Sequence, residues 1–177
     1  MPDVLSDAKT AVFPSRHLTV QEFLMKTEAL IWSLQTMCFF YCEDISAVCS
    51  EIQRVLTPGG KLICSTYGKK HMQEVSRLVR DFDDRIVLSA DRLYERFGRE
   101  NGADILAPYF SRIFWESYED SLLVPDAEPL ISYILSCHGN QNQYLLDKYK
   151  DFRGFVSRKT KDGFFITKDA GIFLCEK

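Results

Sequence analysis

A chain of 177 residues with 22 basic and 25 acidic side chains has the size of one domain and a net charge of −3. Its charges are interleaved, which excludes a broad basic face for nucleic acid, and no apolar run approaches the ~18 residues that a membrane span requires. The N-terminus carries Asp3, Asp7 and Lys9 and no apolar block, so no signal peptide is read and the chain is expected in the cytoplasm.

The pattern becomes regular from Glu43 onward. In "EDISAVCSEIQRVL", Ile45, Val48, Cys49, Ile52, Val55 and Leu56 recur at helical spacing, with Asp44 placed as N-cap. Pro58 stops the helix and Gly59 supplies a turn. "KLICSTY" then has strand length and is apolar on both sides of the pleat, the mark of a strand covered on both faces. A second helix is expected over roughly 71–82, with Met72, Val75, Leu78 and Val79 on one face.

Further on, "YFSRIFWESYED" alternates as a strand, and "DAEPLISYILSCHG" reads as a short helix ending at Gly139. "NQYLLDKYKDFRGFVSRKTKDG" reads as one longer helix ending near Gly163, and its "RKTKDG" end as a solvated terminus. "FFITKDAGIFLCEK" closes the sequence as a strand kinked around 169–171. The six cysteines, Cys38, Cys42, Cys49, Cys64, Cys137 and Cys175, form no C-x-x-C pair. No histidine pair has metal-ligand spacing, so no metal site is expected, and most of the thiols read as small buried apolar residues.

"EIQRVLTPGGKLICSTYG" resembles the helix and fifth strand of class I S-adenosylmethionine-dependent methyltransferases, where the run is E-I-x-R-V-L-x-P-G-G-x-L. "FYCEDI" is similar to the end of that family's fourth strand, and "GKKHM" and "ITKDAGIFLCEK" to one bacterial branch acting on small molecules. The resemblance covers residues 39–177, the C-terminal half of such a domain. It implies an α/β fold, a partial doubly wound, Rossmann-like sheet with a C-terminal helical insertion and a terminal β-hairpin. It also implies S-adenosylmethionine as cofactor and a small-molecule methyl acceptor as partner.

The family holds its cofactor with a glycine-rich loop after the first strand and an acidic residue after the second. No G-x-G-x-G occurs before residue 55. Residues 1–38 are atypical, and "MKTEALIWSLQTMCFF", where the fourth strand belongs, does not read as a strand. These residues can be encoded so that skipping two bases yields E-D-G-S-F-D-L-V-I-A-N-N-V-L-F, similar to the family's fourth strand. Residues 1–38 are therefore expected to be out-of-frame translation, and the chain to be impaired in cofactor binding. A non-catalytic α/β fragment that pairs with a partner is the alternative.

The resemblance places Tyr41 and Cys42 at the end of the fourth strand, as contacts to the cofactor's adenine or methionine chain or as packed residues. Tyr67, Lys69 and His71 follow the fifth strand, at the carboxyl edge where doubly wound sheets bind ligands, and are the candidate substrate contacts. His71 suits a general base, its ordinary pKa being near 6.5, or alternatively a surface or capping residue. His138, before Gly139, is read as complementing a helix dipole. The uncharged stretch from Ile31 to Tyr41 is expected to drive self-association through a strand edge.

Overall fold

The computed structural model describes residues 30–89 and 92–177. Most of the atypical N-terminal segment therefore lies outside the described residues. Strand β1, Leu30–Thr36, lies within the stretch that the sequence did not mark as a strand. It forms because an uncharged run finds a parallel partner in strand β2, Leu56–Tyr67, and pairing of this kind overrides a weak local pattern.

Between them, Phe39–Tyr41 make one 3-10 turn that buries Phe39 and Phe40. Helix α1 follows at Ile45–Val55. Asp44 caps it as expected, its Oδ1 accepting from the Ala47 N–H at 2.9 Å, and Val48, Cys49, Ile52 and Val55 form the buried stripe. The helix then passes directly into extended chain. Pro58-Gly59-Gly60 lies inside β2, at a break in register between the pairs Leu30–Leu56 and Trp32–Lys61. The expected turn is thus a bulge within the strand, and Gly59 supplies its positive φ of 73°.

Helix α2 spans Gln73–Phe82 and buries Val75, Leu78 and Val79. Two short helices follow, α3 at Leu93–Arg96 and α4 at Gly102–Leu106. Strand β3, Arg112–Val124, leads into helix α5, Ala127–Ser136, and strand β4 closes at Phe164–Glu176. The expected single helix before β4 is two, α6 at Gln141–Leu145 and α7 at Tyr149–Thr160. These helices are the C-terminal insertion, and they lie between the strands of the closing antiparallel pair.

Among the described residues the sheet has four strands in the order β1-β2-β4-β3, with β1 and β2 parallel and the other pairs antiparallel. The expected kink in β4 does not interrupt pairing, which continues through Asp169, Ala170 and Gly171. Gly171 serves close approach instead: a Cβ there would lie 2.3 Å from the Glu116 carbonyl oxygen. One core packs α1, Phe39, Phe97, Leu106 and Phe110 on the sheet face that carries Leu62, Cys64, Phe173 and Cys175. A second core joins α2, α5 and α7 around Ile134, Phe152 and Val156, with Ile166 of β4.

Candidate functional site

The parallel pair β1 and β2 points both carboxyl ends to one edge, and three of the five expected site residues, Tyr41, Tyr67 and His71, join there in one contact series through Phe40. Phe40, in the 3-10 turn after β1, stacks edge-on with Tyr41 at 4.7 Å and with Tyr67, the last residue of β2, at 5.6 Å. Tyr67 in turn lies 5.0 Å from the His71 ring. The Tyr133 hydroxyl on α5 donates to the Met72 sulfur at 3.4 Å, which brings the insertion against the same edge. Tyr41 is 69% exposed, so it offers an open aromatic face rather than a packed one. Burial raises the Tyr67 hydroxyl, with Tyr41 and Tyr94 adding to the effect, so it stays a protonated donor at neutral pH.

Cys42 is half-buried; its thiol contacts the Cys38 carbonyl, and its own carbonyl accepts from the Arg96 guanidinium at 2.6 Å. Burial raises its pKa, and the Arg96 charge opposes the rise only partly. A neutral thiol contributes packing at this edge and no nucleophile. Cys42 borders a group of thiols far apart in sequence. Cys49, Cys64 and Cys175 lie in the core beneath the sheet. Burial, above all, pushes Cys49 up to about 12, while a hydrogen bond with Cys175, then burial, hold Cys64 protonated. They are inert core residues, as the sequence suggests.

The loop after β2 is held in place by two carboxylates that the sequence did not single out. Asp169 of β4 accepts from the Lys70 N–H at 3.2 Å and from Arg99 Nη1 at 2.8 Å, and its side chain is 8% exposed. Its backbone carbonyl accepts from the Gly68 N–H at 2.8 Å. Gly68 has to be glycine-sized, because a Cβ would sit 2.4 Å from Asp169 Oδ2. Glu100 accepts from the Lys69 N–H at 3.0 Å. Lys69 thus takes part through its backbone while its side chain is exposed, and it stands apart from the aromatic series.

His71 is not a helix cap. Helix α2 starts two residues later, after Met72 in the left-handed region at φ 54°. The imidazole is half-buried against Tyr67, and its Nδ1 is buried with no hydrogen-bond partner. Burial lowers its pKa, although the nearby Asp169 charge opposes the shift. A neutral imidazole can take a proton from a hydroxyl or amine that reaches it, and the buried Nδ1 leaves Nε2 as the nitrogen for that role. His138 is exposed, two residues after the end of α5, and takes no part in the aromatic series.

An S-adenosyl cofactor, which the resemblance implies, needs an apolar wall for adenine and polar partners for its ribose and carboxylate. Tyr41 and the half-buried Tyr67 offer such a wall, with Phe40 buried behind them. The carboxylates nearest the loop, Asp169 and Glu100, are already engaged with it, and no glycine-rich cradle follows β1. The residues present fit part of the cofactor and not the whole. Among the described residues, no group of three His, Cys, Asp or Glu side chains could hold a metal ion. No helix there is long and apolar enough to cross a membrane. A shallow depression of about 460 Å³ lies elsewhere, between α2 and α7, where Asp81, Phe82, Lys150 and Arg158 line it.

No family model and no curated protein matches this sequence. Several of the solved structures to which the chain is similar are described as methyltransferases. A Thermotoga maritima protein described as a SAM-dependent methyltransferase, possible histamine N-methyltransferase, is 12% identical, with a TM-score of 0.42 over 86% of this chain and 58% of its own. The YcgJ protein of Bacillus subtilis, also 12% identical, gives a TM-score of 0.47 over 85% of this chain and 65% of its own. Phosphoethanolamine N-methyltransferase 2 of Haemonchus contortus, solved with S-adenosyl-L-methionine, is 16% identical, with a TM-score of 0.40 over 86% of this chain and 34% of its own. The chain spans less than two thirds of the length of each.

Proposed function

We propose that residues 39–177 are the C-terminal half of an S-adenosylmethionine-dependent methyltransferase domain whose intact form methylates a small-molecule acceptor. The supporting observation is how the resembling run folds. "EIQRVLTPGGKLICSTYG" makes the end of a helix and the strand after it, and that strand ends at Tyr67 on an aromatic edge beside Phe40. In this reading Tyr41 and Cys42 face the cofactor, while Tyr67, Lys69 and His71 face the acceptor, with His71 in position to receive its proton. Holding acceptor and methyl donor in line supplies much of the rate in such a reaction.

The chain as it stands is impaired in this reading, because it presents an adenine wall without the loop for the rest of the cofactor. Residues 1–38 are out-of-frame translation of a methyltransferase gene. The rival reading, a pairing module without catalysis, draws support from β1, which lies at an edge of the described sheet with Leu34 66% exposed. Sequencing the gene separates the two. A glycine-rich strand-to-helix loop in the neighbouring upstream frame supports the enzyme reading, and its absence overturns the frame-shift. With that upstream half restored, S-adenosylhomocysteine should bind, and Tyr41→Ala should weaken binding more than His138→Ala; equal effects would remove the cofactor from this edge.

A further inference from the structure

The two faces of the sheet are not equally covered. One face lies under α1 and its partners. On the other, the register places Leu34, Ile63, Leu174 and Phe114 side by side in one row that crosses all four strands. Residues opposite one another in a sheet present their side chains to the same face, within contact distance. Neither hydrophobic core includes any of the four. Leu34 is 66% exposed and Phe114 63%, and even Ile63 and Leu174, on the two central strands, are only half-buried. The helices of the insertion reach this side of β4 only at its far end, through Ile166. A β2 sequence that is apolar on both sides of its pleat is thus matched, among the described residues, by a cover on one face only at this row.

We propose that a second copy of this chain covers the row, the two sheets stacking face to face about a two-fold axis that runs along it. Stacked sheets pack about 10 Å apart with their inner side chains interdigitated. An axis along the row sets Leu34 against Leu34 and Phe114 against Phe114 of the other copy. It also exchanges positions two residues before and after the row on β3, so Arg112 of each copy comes opposite Glu116 of the other. The contact therefore carries an apolar row with two opposite charge pairs on β3, one on either side of Phe114, where each Arg112 also lies 3.8 Å from Glu176 of its own copy. The same arrangement would give the self-association expected of residues 31–41 through Leu34, without requiring the β1 edges to pair.

Sedimentation of the purified chain, with circular dichroism of each variant to monitor folding, tests this. The wild-type chain should form a dimer at tens of micromolar, and Phe114→Lys or Leu34→Lys should weaken it about a hundredfold, the loss expected when a large buried side chain on each copy becomes charged. Arg112→Glu should weaken the dimer, and the exchange of both charges (Arg112→Glu with Glu116→Arg) should restore it. A monomer at these concentrations overturns the proposal. So does a dimer that Leu34→Lys breaks and Phe114→Lys leaves intact, since that pattern marks pairing along the β1 edge. If the charge exchange fails to recover what the single change loses, the two-fold placement is wrong.

Discussion

Asp169→Ala removes the carboxylate that joins β4 to the loop carrying Lys69 and His71. Its side chain is almost fully buried, with one charge-assisted bond to Arg99 at 2.8 Å and one to the Lys70 N–H at 3.2 Å. A bond to a charged group contributes about 1.5–3 kcal/mol when buried. Arg99 is 46% exposed and water can replace its partner, so the pair is discounted to about 1 kcal/mol. The Lys70 N–H is also near solvent, and losing its acceptor costs about 1 kcal/mol or less. The sum, about 2 kcal/mol, corresponds to a fall of about 4–8 °C in Tm for a chain of this size. Thermal unfolding measures the global loss, and hydrogen exchange over residues 68–71 measures the local one. Glu100→Ala, which removes an exposed acceptor of the same loop, should cost about half as much or less. An Asp169→Ala variant that melts with the wild type and leaves exchange at Lys70 unchanged would refute the role assigned to this carboxylate.

Three further outcomes are expected. Calorimetric titration of the chain with S-adenosylhomocysteine should give weak binding or none, since buried polar groups without partners cost about 1–3 kcal/mol each; a Kd of about 10 µM or below would show that some other segment replaces the missing loop. The folded chain holds His71 neutral by burial while the unfolded chain protonates near the ordinary value of 6.5, so the unfolded state binds more protons just below that pH. Stability from this group is complete above 6.5 and is lost as pH falls through the lowered folded value. His71→Asn should flatten the slope of stability against pH in that window, and an unchanged slope would contradict the burial described. Gly102→Ala should destabilise by about 1–3 kcal/mol in denaturant, because its Cβ would lie 2.4 Å from the Phe173 ring; wild-type stability would mean that the ring has room to move.

The elements legible in the sequence are those whose signals are local. Asp44, the stripe from Val48 to Val55 and the two-sided strand after Gly60 carry their instructions within a few residues. The break between α6 and α7 was not legible, because no Gly or Pro marks 146–148. Two long-range ties flank it: Asn140 accepts from the Val87 N–H at 2.7 Å, and Lys148 reaches Asp83 at 3.5 Å. At the candidate site Tyr41, Tyr67 and His71 were legible through the resemblance and the carboxyl-edge rule. Phe40, which connects them, had no signal beyond its aromatic type. Asp169 and Arg99 act across separations of 99 and 70 residues, a distance at which no pattern in a single sequence speaks. Pro58-Gly59-Gly60 announced an irregularity correctly, but only the pairing of β1 with β2 decided that it would be a bulge.

The place of β4 in the sheet bears on how the protein is made. β2 and β3 do not pair with each other; each pairs with β4, the last of the four strands to be synthesised. A nascent chain that has emerged as far as α7 holds β1 and β2 as one ribbon and β3 as a single strand, with no backbone partner between them. Closure waits for residues 164–176, and Lys61 must then find Glu176 across most of the described chain. Long-range pairings of this kind close slowly and leave apolar strands open in the meantime. Ribosomes that stall before Phe164 would therefore release chains that chaperones hold and proteases clear, while the helices from α5 to α7 already have most of their own contacts.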